Sequence, residues 1–390
     1  MRRVRLKEIG IFYSGLSGKS KSDFSEGNAL LVTYRNIFNN PVLNPAIKDT
    51  VVVGKDEKQN EVLWGDILIT GSSETPADAG MSSVVLFNPQ EKMYLNSFCF
   101  GFRLNDMNEA LPSYIGHLLR STSIRAAISK TAFGVTRFNV NRMRFADIEI
   151  PLPPLNIQKE IVSILDSFTS LIDKMKQEVE MRKKQMEYYR EKLMAPQKNW
   201  EIKTLGEIGT FTRGNGLQKS DFRVKGFPCV HYGQIHTYYN TCIYKTKSFC
   251  EEDLAKKLQK ASYGDLLIAT TSEDVKACCK AAVWFGAGDV AYSGDSFCYS
   301  HDQDPKYMAY LFQTEMFAKQ KQKAATGAKV IRVSGESMAS FSFAFPPLVQ
   351  QRQIASILDT FETYISKLEK MIELRQKQYE YYREKLLTFE

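Results

Sequence analysis

Residues able to do chemistry are present in this chain, but few stand at spacings that a reaction needs. SGLSGKS at 14–20 has the end of a phosphate-binding loop. The full pattern requires Gly five residues before Gly18, and that position is Tyr13. FGAGD at 285–289 has the glycines of an S-adenosylmethionine turn, yet no Asn/Asp-Pro-Pro-aromatic motif for a target base occurs in the chain. EDVK at 273–276, with Asp265 upstream, can be arranged as the acid, acid-x-Lys pattern of a metal-dependent nuclease; the corresponding ETPA at 74–77 lacks the lysine. The histidines, His117, His231, His236 and His301, show no metal-ligand spacing. Seven cysteines include no CxxC pair, and six of them follow residue 228. An odd number in this pattern predicts reduced thiols in a cytoplasmic protein rather than a disulfide framework. The expectation is a non-catalytic chain holding no cofactor and no metal.

What remains are basic and polar loops that occur twice. Gly71, Ser72, Ser73, Glu74 and Thr75 follow one Gly-Asp strand, and Thr271, Ser272, Glu273, Asp274 and Lys276 follow the other. Tyr34, Arg35 and Asn36 correspond to Tyr232, Gln234 and His236. Thr136, Arg137 and Asn139 correspond to Lys329 and Arg332, and Lys19, Lys21, Lys219 and Arg223 lie on the opening loops. Arg, Asn, Gln, Ser and Thr suit base edges in a DNA major groove, while Lys and Arg suit phosphates. Taken together they predict two variable readers of double-stranded DNA on one frame. The alternative is a coiled-coil assembly adaptor whose heads bind proteins.

The frame is an internal duplication. LKEIG at 6–10 answers LGEIG at 205–209, KSDF at 21–24 recurs at 219–222, and WGDILITGSSE at 64–74 answers YGDLLIATTSE at 263–273. SFCF at 97–100 answers SFCY at 296–299. Strand-like runs at Ala29–Thr33, Thr50–Val53, Asp66–Thr70, Ser83–Phe87 and Phe98–Leu104 precede a helical stretch at Pro112–Lys130, and the second half repeats the order with its helix at Pro305–Lys323. The mix predicts α+β heads.

Each head runs into a long helix. After Pro151–Pro154, apolar residues recur at Ile161, Leu165, Phe168, Ile172, Met175, Val179, Met186, Tyr189 and Leu193, broken only by Arg182. The same seam returns from Ile354 to Leu386, with Arg375 in place of Arg182. EYYREKL stands at 187–193 and at 380–386. A heptad seam of this length predicts a paired helix roughly 58 Å long. With short connections the second helix must return antiparallel to the first, which makes the repeat pseudo-two-fold. The two Arg either fix register or snorkel to the seam edge. The expected organisation is a head at 1–150, a helical spacer at 151–198, a head at 199–343 and a second spacer at 344–390.

With 390 residues and 43% hydrophobic content the chain can bury two cores, and its net charge of +8 is consistent with a polyanionic partner. No run is apolar enough to cross a membrane, and MRRVRLKEIG lacks the apolar core of a secretory signal.

IPLPPLNIQKEIVSILDSF and FPPLVQQRQIASILDTF, with the head openings and the WGDILIT and YGDLLIAT strands, resemble the specificity subunits of type I restriction–modification systems. The likeness runs end to end, although the first head has Val4 or Arg5 where the second has Trp200. The resemblance implies two target-recognition domains, each reading half of a split DNA site, with an antiparallel coiled coil setting the gap. It also implies two methyltransferase subunits binding S-adenosylmethionine, and restriction/translocase subunits using ATP and Mg, as partners.

Overall fold

The computed structural model describes residues 2–389. They fall into two compact units, Met1–Lys176 with Lys370–Glu390, and Gln177–Glu369. Each unit holds one head and part of each of two long helices, Leu155–Leu193 and Leu348–Leu387. The compact units divide the helices in mid-course instead of at their ends, because the helix ends pack into the heads.

In the first unit the central strand is Ile67–Thr70, flanked by Cys99–Leu104 and Ser82–Val84, with Gly10–Ser14 beyond; all pairs are antiparallel. All four residues of Ile67–Thr70 are buried, because both faces of the sheet are covered. Ile67 and Ile69 enter the core shared with the helices, with Phe100, Phe102 and Tyr114. Leu68 points the other way, into a core with Val32, Ile37 and Leu95. That second core is closed by a small sheet in which Ala29–Val32 pairs parallel to Met93–Leu95 and antiparallel to Thr50–Val51. Side chains of period 2 thus serve two cores at once.

The second unit repeats this plan. Leu266–Ala269 is its central strand, between Ser296–His301 and Lys280–Trp284. Leu266 and Ile268 face the helical core, while Leu267 and Ala269 face the other. The Gly-Asp before each central strand shapes a turn. Gly65 and Gly264 have φ of +86° and +93°, a region open to glycine. Asp66 accepts from the Leu63 N–H and Asp265 from the Ser262 N–H, both at 2.8 Å. Asp66 also holds Arg103 through Nε and Nη2 at 2.7 Å each and accepts from the Tyr13 hydroxyl at 2.7 Å. Burial, with the neighbouring Asp66 charge, holds the Tyr13 phenol well above its ordinary range.

The single helical stretch expected at Pro112–Lys130 is two helices, Pro112–Leu119 and Thr122–Ser129. Ser121 between them is extended, and its hydroxyl donates to the Leu118 carbonyl at 2.7 Å. Its counterpart also divides, into Pro305–Leu311 and Glu315–Ala324, where Thr314 accepts from the Phe317 N–H at 3.2 Å. Each new N-terminus is closed from a long helix. Glu384 accepts from the Thr122 N–H at 2.8 and 3.0 Å, and Glu191 from the Glu315 N–H at 3.2 Å through both oxygens. A carboxylate there satisfies an orphan donor and complements the helix dipole.

The seam residues pack as the heptads require. In the first unit Ile161, Leu165 and Ile172 join Tyr379 and Leu387 in one core, and the Phe168 and Tyr382 rings stack at 5.5 Å. In the second unit the Tyr189 and Phe361 rings stack at 5.6 Å, and Lys183 pairs with Glu369 at 2.9 Å. Partner numbers fall as helix numbers rise, so the pair is antiparallel. Arg182 bonds Glu178 at 2.7 Å and Gln185 at 2.8 Å and lies over the Tyr364 ring. Arg375 bonds Gln378 at 2.6 Å. Both are half-buried and bonded to residues of their own helix, which favours snorkelling over a buried register-setting charge.

Candidate nucleic-acid interface

In the first head, four chain segments distant in sequence meet around a cleft of about 600 Å3. It is lined by Tyr34, Ser72, Ser73, Glu74, Thr75, Thr136 and Arg137 from the polar loops named in the sequence, with Phe38, Asp78, Asn96 and Phe98 added. The geometry follows from a short hairpin. Ala132–Phe133 pairs with Phe138–Val140, which pairs in turn with Ser72–Ser73. Its tip needs Gly134, at φ +128°, where a Cβ would sit 2.0 Å from the Arg137 carbonyl oxygen. Arg137 is exposed but oriented: its Nε donates to Ser72 Oγ at 3.1 Å, and its guanidinium lies 5.2 Å from the Phe98 ring centre. Phe98 is 58% exposed and Val135, at the hairpin tip, 90%.

Other residues of the predicted set have local employment. Lys19 pairs with Glu57, its side chain only 9% exposed, and so is withdrawn from the surface. Asn36 sits in the helix Tyr34–Asn39 rather than in a loop; its amide donates to the Asn44 carbonyl at 3.0 Å and accepts from the Asn44 N–H at 3.1 Å. Lys21 and Arg35 are exposed outside the cleft, and Asn139 is exposed in the hairpin strand opposite Ser72.

The second head keeps the hairpin and changes its contents. Ile331–Arg332 pairs with Thr271–Ser272, and Gly327 holds φ +103° with its Cβ position 2.1 Å from the Val330 carbonyl oxygen. Where the first hairpin has Val135, Thr136 and Arg137, this one has Ala328, Lys329 and Val330. Lys329 and Arg332 are exposed. His236 Nε2 lies 2.9 Å from the Thr271 carbonyl oxygen, which joins two of the predicted loops. A cleft of about 720 Å3 is lined by Lys219 and Tyr232 together with His231, Asn215, Gln218 and Arg213. Burial lowers the His231 pKa, assisted by the Lys219 charge. Arg213 was missed by sequence reasoning, although an Arg before Gly-Asn-Gly was a visible signal.

Two of the second head's predicted readers are structural. Arg223 is held by Glu251 at 2.8 Å, and Gln234 bridges Ser248 Oγ at 2.7 Å and the His231 N–H at 3.0 Å. Lys276 lines a separate cavity beside Cys278 and Cys279. Asp265, considered above as a nuclease acid, is committed to its turn and accepts from the Cys298 thiol at 3.3 Å. Among the described residues no group of three His, Cys, Asp or Glu side chains is placed to hold a metal ion. No described helix is long and apolar enough to cross a membrane.

These units define a two-headed α+β protein whose heads share a frame and differ in their polar loops. The model of the type I restriction modification DNA specificity domain matches the chain twice, at residues 2–181 and 197–376, and the chain belongs to that family. It is 30% identical over 272 residues to a putative type I restriction enzyme specificity subunit of Haemophilus influenzae, covering 66% of this chain and 68% of that one. It is 28% identical over 254 residues to the EcoR124I/EcoR124II specificity subunit of Escherichia coli, covering 62% and 63%. Among solved structures it is similar in fold to a type I restriction–modification S subunit from M. genitalium, with TM-score 0.56, 14% identity, and coverage of 100% and 96%. A chain from a structure addressing complex assembly and conformational transition of the type I system gives TM-score 0.60 at 14% identity, covering 99% and 97%.

Proposed function

We propose that this chain is the non-catalytic specificity component of a type I restriction–modification complex, with each head reading one half of a bipartite double-stranded DNA site. The observation that carries this reading is the hairpin with Gly134 in one head and Gly327 in the other. The backbone is the same, but Val-Thr-Arg is presented by the first and Ala-Lys-Val by the second. A fixed frame with altered side chains gives two specificities from one design. In this reading the heads are residues 1–150 and 199–343, and the helical segments 151–198 and 344–390 set the gap between half-sites. Two methyltransferase subunits supply S-adenosylmethionine chemistry, and restriction subunits supply ATP- and Mg-dependent cleavage, in the cytoplasm.

The test is to exchange residues 199–343 for the corresponding head of a relative and to sequence the methylated sites in a host expressing the whole system. The expected result is a change in one half of the site with the other half and the gap retained. Unchanged sites, or simultaneous change in both halves, would overturn the assignment and favour protein-binding heads.

A further inference from the structure

The second head carries a strained cysteine where the first has glycine. Among the described residues, Cys279 alone of the non-glycine residues has positive φ, at +61°. Gly80 occupies the same place in the first head, with φ +68°. The surroundings correspond as well. Arg125 donates to the carbonyls of Ala77 and Ala79, each at 2.6 Å, and Lys321 donates to those of Lys276 and Cys278 at 2.9 and 2.8 Å. The frame therefore demands a left-handed residue here, which glycine adopts freely and a cysteine adopts with strain.

That cysteine lies among sulfur atoms. Cys279 Sγ is 3.9 Å from Cys278 Sγ and 3.9 Å from Met338 Sδ. All three residues are buried, and the two cysteines line a cavity of about 530 Å3 together with Lys276, Gln313 and Lys321. The corresponding positions in the first head are Ala79, Gly80 and Phe145, so the sulfur cluster belongs to one head only.

We propose that Cys278, Cys279 and Met338 form a binding site for one soft monovalent metal ion, Cu(I), held by two thiolates and a thioether. Thiolate and thioether ligands select Cu(I) over harder ions. A trigonal ion at about 2.3 Å from each sulfur places the sulfurs about 4.0 Å apart; the two separations that involve Cys279 are already 3.9 Å, and rotation of the unbranched Met338 side chain closes the third side. Charge also decides. Binding releases the two thiol protons to solvent; two thiolates, one monovalent cation and the Lys321 ammonium then sum to zero. A divalent ion leaves one positive charge uncompensated in a buried place, and zinc needs a fourth ligand. The ion would tie the loop bearing Lys276 to the helix Gly335–Ala339 behind the hairpin.

The test titrates the full chain, reduced and without oxygen, with Cu(I) against the competing chromophoric chelator bicinchoninate. Cys279→Gly is the informative variant, because it installs the residue that the frame accepts in the first head and keeps the fold. The expected result is that it binds one equivalent fewer than the unaltered chain and loses an ultraviolet thiolate-to-copper band. Met338→Leu should keep the stoichiometry and weaken affinity by about tenfold or more. Equal stoichiometry in the Cys279→Gly and unaltered chains overturns the proposal, as does retention of Zn(II) in preference to Cu(I). Cu(I) bound elsewhere on the chain would persist in the variant and so cannot imitate the expected loss.

Discussion

Arg137 tests whether the first cleft reads bases or merely holds phosphate. Its Nε is occupied by Ser72 Oγ at 3.1 Å and its flat face rests against Phe98. Among the described residues neither terminal nitrogen has a hydrogen-bond partner, so both remain for a bidentate contact. The side chain is held in place before DNA arrives, and little rotamer entropy remains to be lost on binding. A bidentate contact to guanine discriminates by about 1–3 kcal/mol, or about 5- to 150-fold in affinity. Arg137→Ala should therefore weaken binding to the recognised duplex by that factor and relax one position in one half-site. Arg137→Lys should not rescue it, because an ammonium keeps the charge and loses the fork. The assay is competition binding with the recognised duplex and single-base variants at graded salt, using the chain together with the methyltransferase subunit proposed as its partner. If Arg137→Ala instead weakens all duplexes equally and lowers the salt slope by about 0.9, Arg137 is a phosphate contact. Rescue by lysine would refute the base-reading argument in the same way.

Two further outcomes follow from the frame. Gln158 is fully buried; its carbonyl oxygen accepts from the Leu111 N–H at 2.9 Å, and its amide donates to the carbonyls of Glu109 and Pro153 at 2.8 and 2.9 Å. Gln158→Leu keeps the volume but orphans three backbone groups, and should destabilise the first unit by about 3–5 kcal/mol in chemical unfolding; a cost under about 1 kcal/mol would mean that the groups find water. Acid should weaken the second unit. Burial lowers the His301 pKa, and its Nε2 has no partner among the described residues. The folded chain thus resists a proton that the unfolded chain accepts below about pH 6.5. Stability should be unaffected by this group above that pH and should fall as pH drops through it toward the folded value. Melting between about pH 7.5 and 5.5 should show the loss, and His301→Gln should reduce it; an unchanged acid response in the variant would assign the effect elsewhere.

The helices were legible because a heptad seam is a local pattern, and their pairing follows from one chain carrying two seams. The central strands were legible as apolar runs, but not their double duty: ILIT and LLIA do not say which residue faces which core. Among the polar candidates, residue type alone could not separate readers from struts. Arg137 and Arg223 are both exposed arginines, yet Arg223 is taken by Glu251, 28 residues away. Lys19 and Lys21 are neighbours, yet only Lys19 finds Glu57. Partners this distant are settled by the tertiary fold, and no window of sequence contains both.

The unequal strictness of the duplication has a physical cause in the same contacts. A seam residue answers to the opposing helix, and its neighbours also answer to a head. Tyr189 stacks on Phe361 while Glu191, two residues on, closes the helix at Glu315; Tyr382 stacks on Phe168 while Glu384 closes the helix at Thr122. Gln158 and Gln351 likewise leave the first turns of their helices to satisfy the N–H groups of Leu111 and Asp304. A change in EYYREKL therefore breaks two kinds of contact at once, and both copies keep it. A hairpin tip such as Val135 or Ala328 answers to no other part of its own unit beyond the turn set by its glycine. Its identity is left to whatever the head must read, and there the copies diverge.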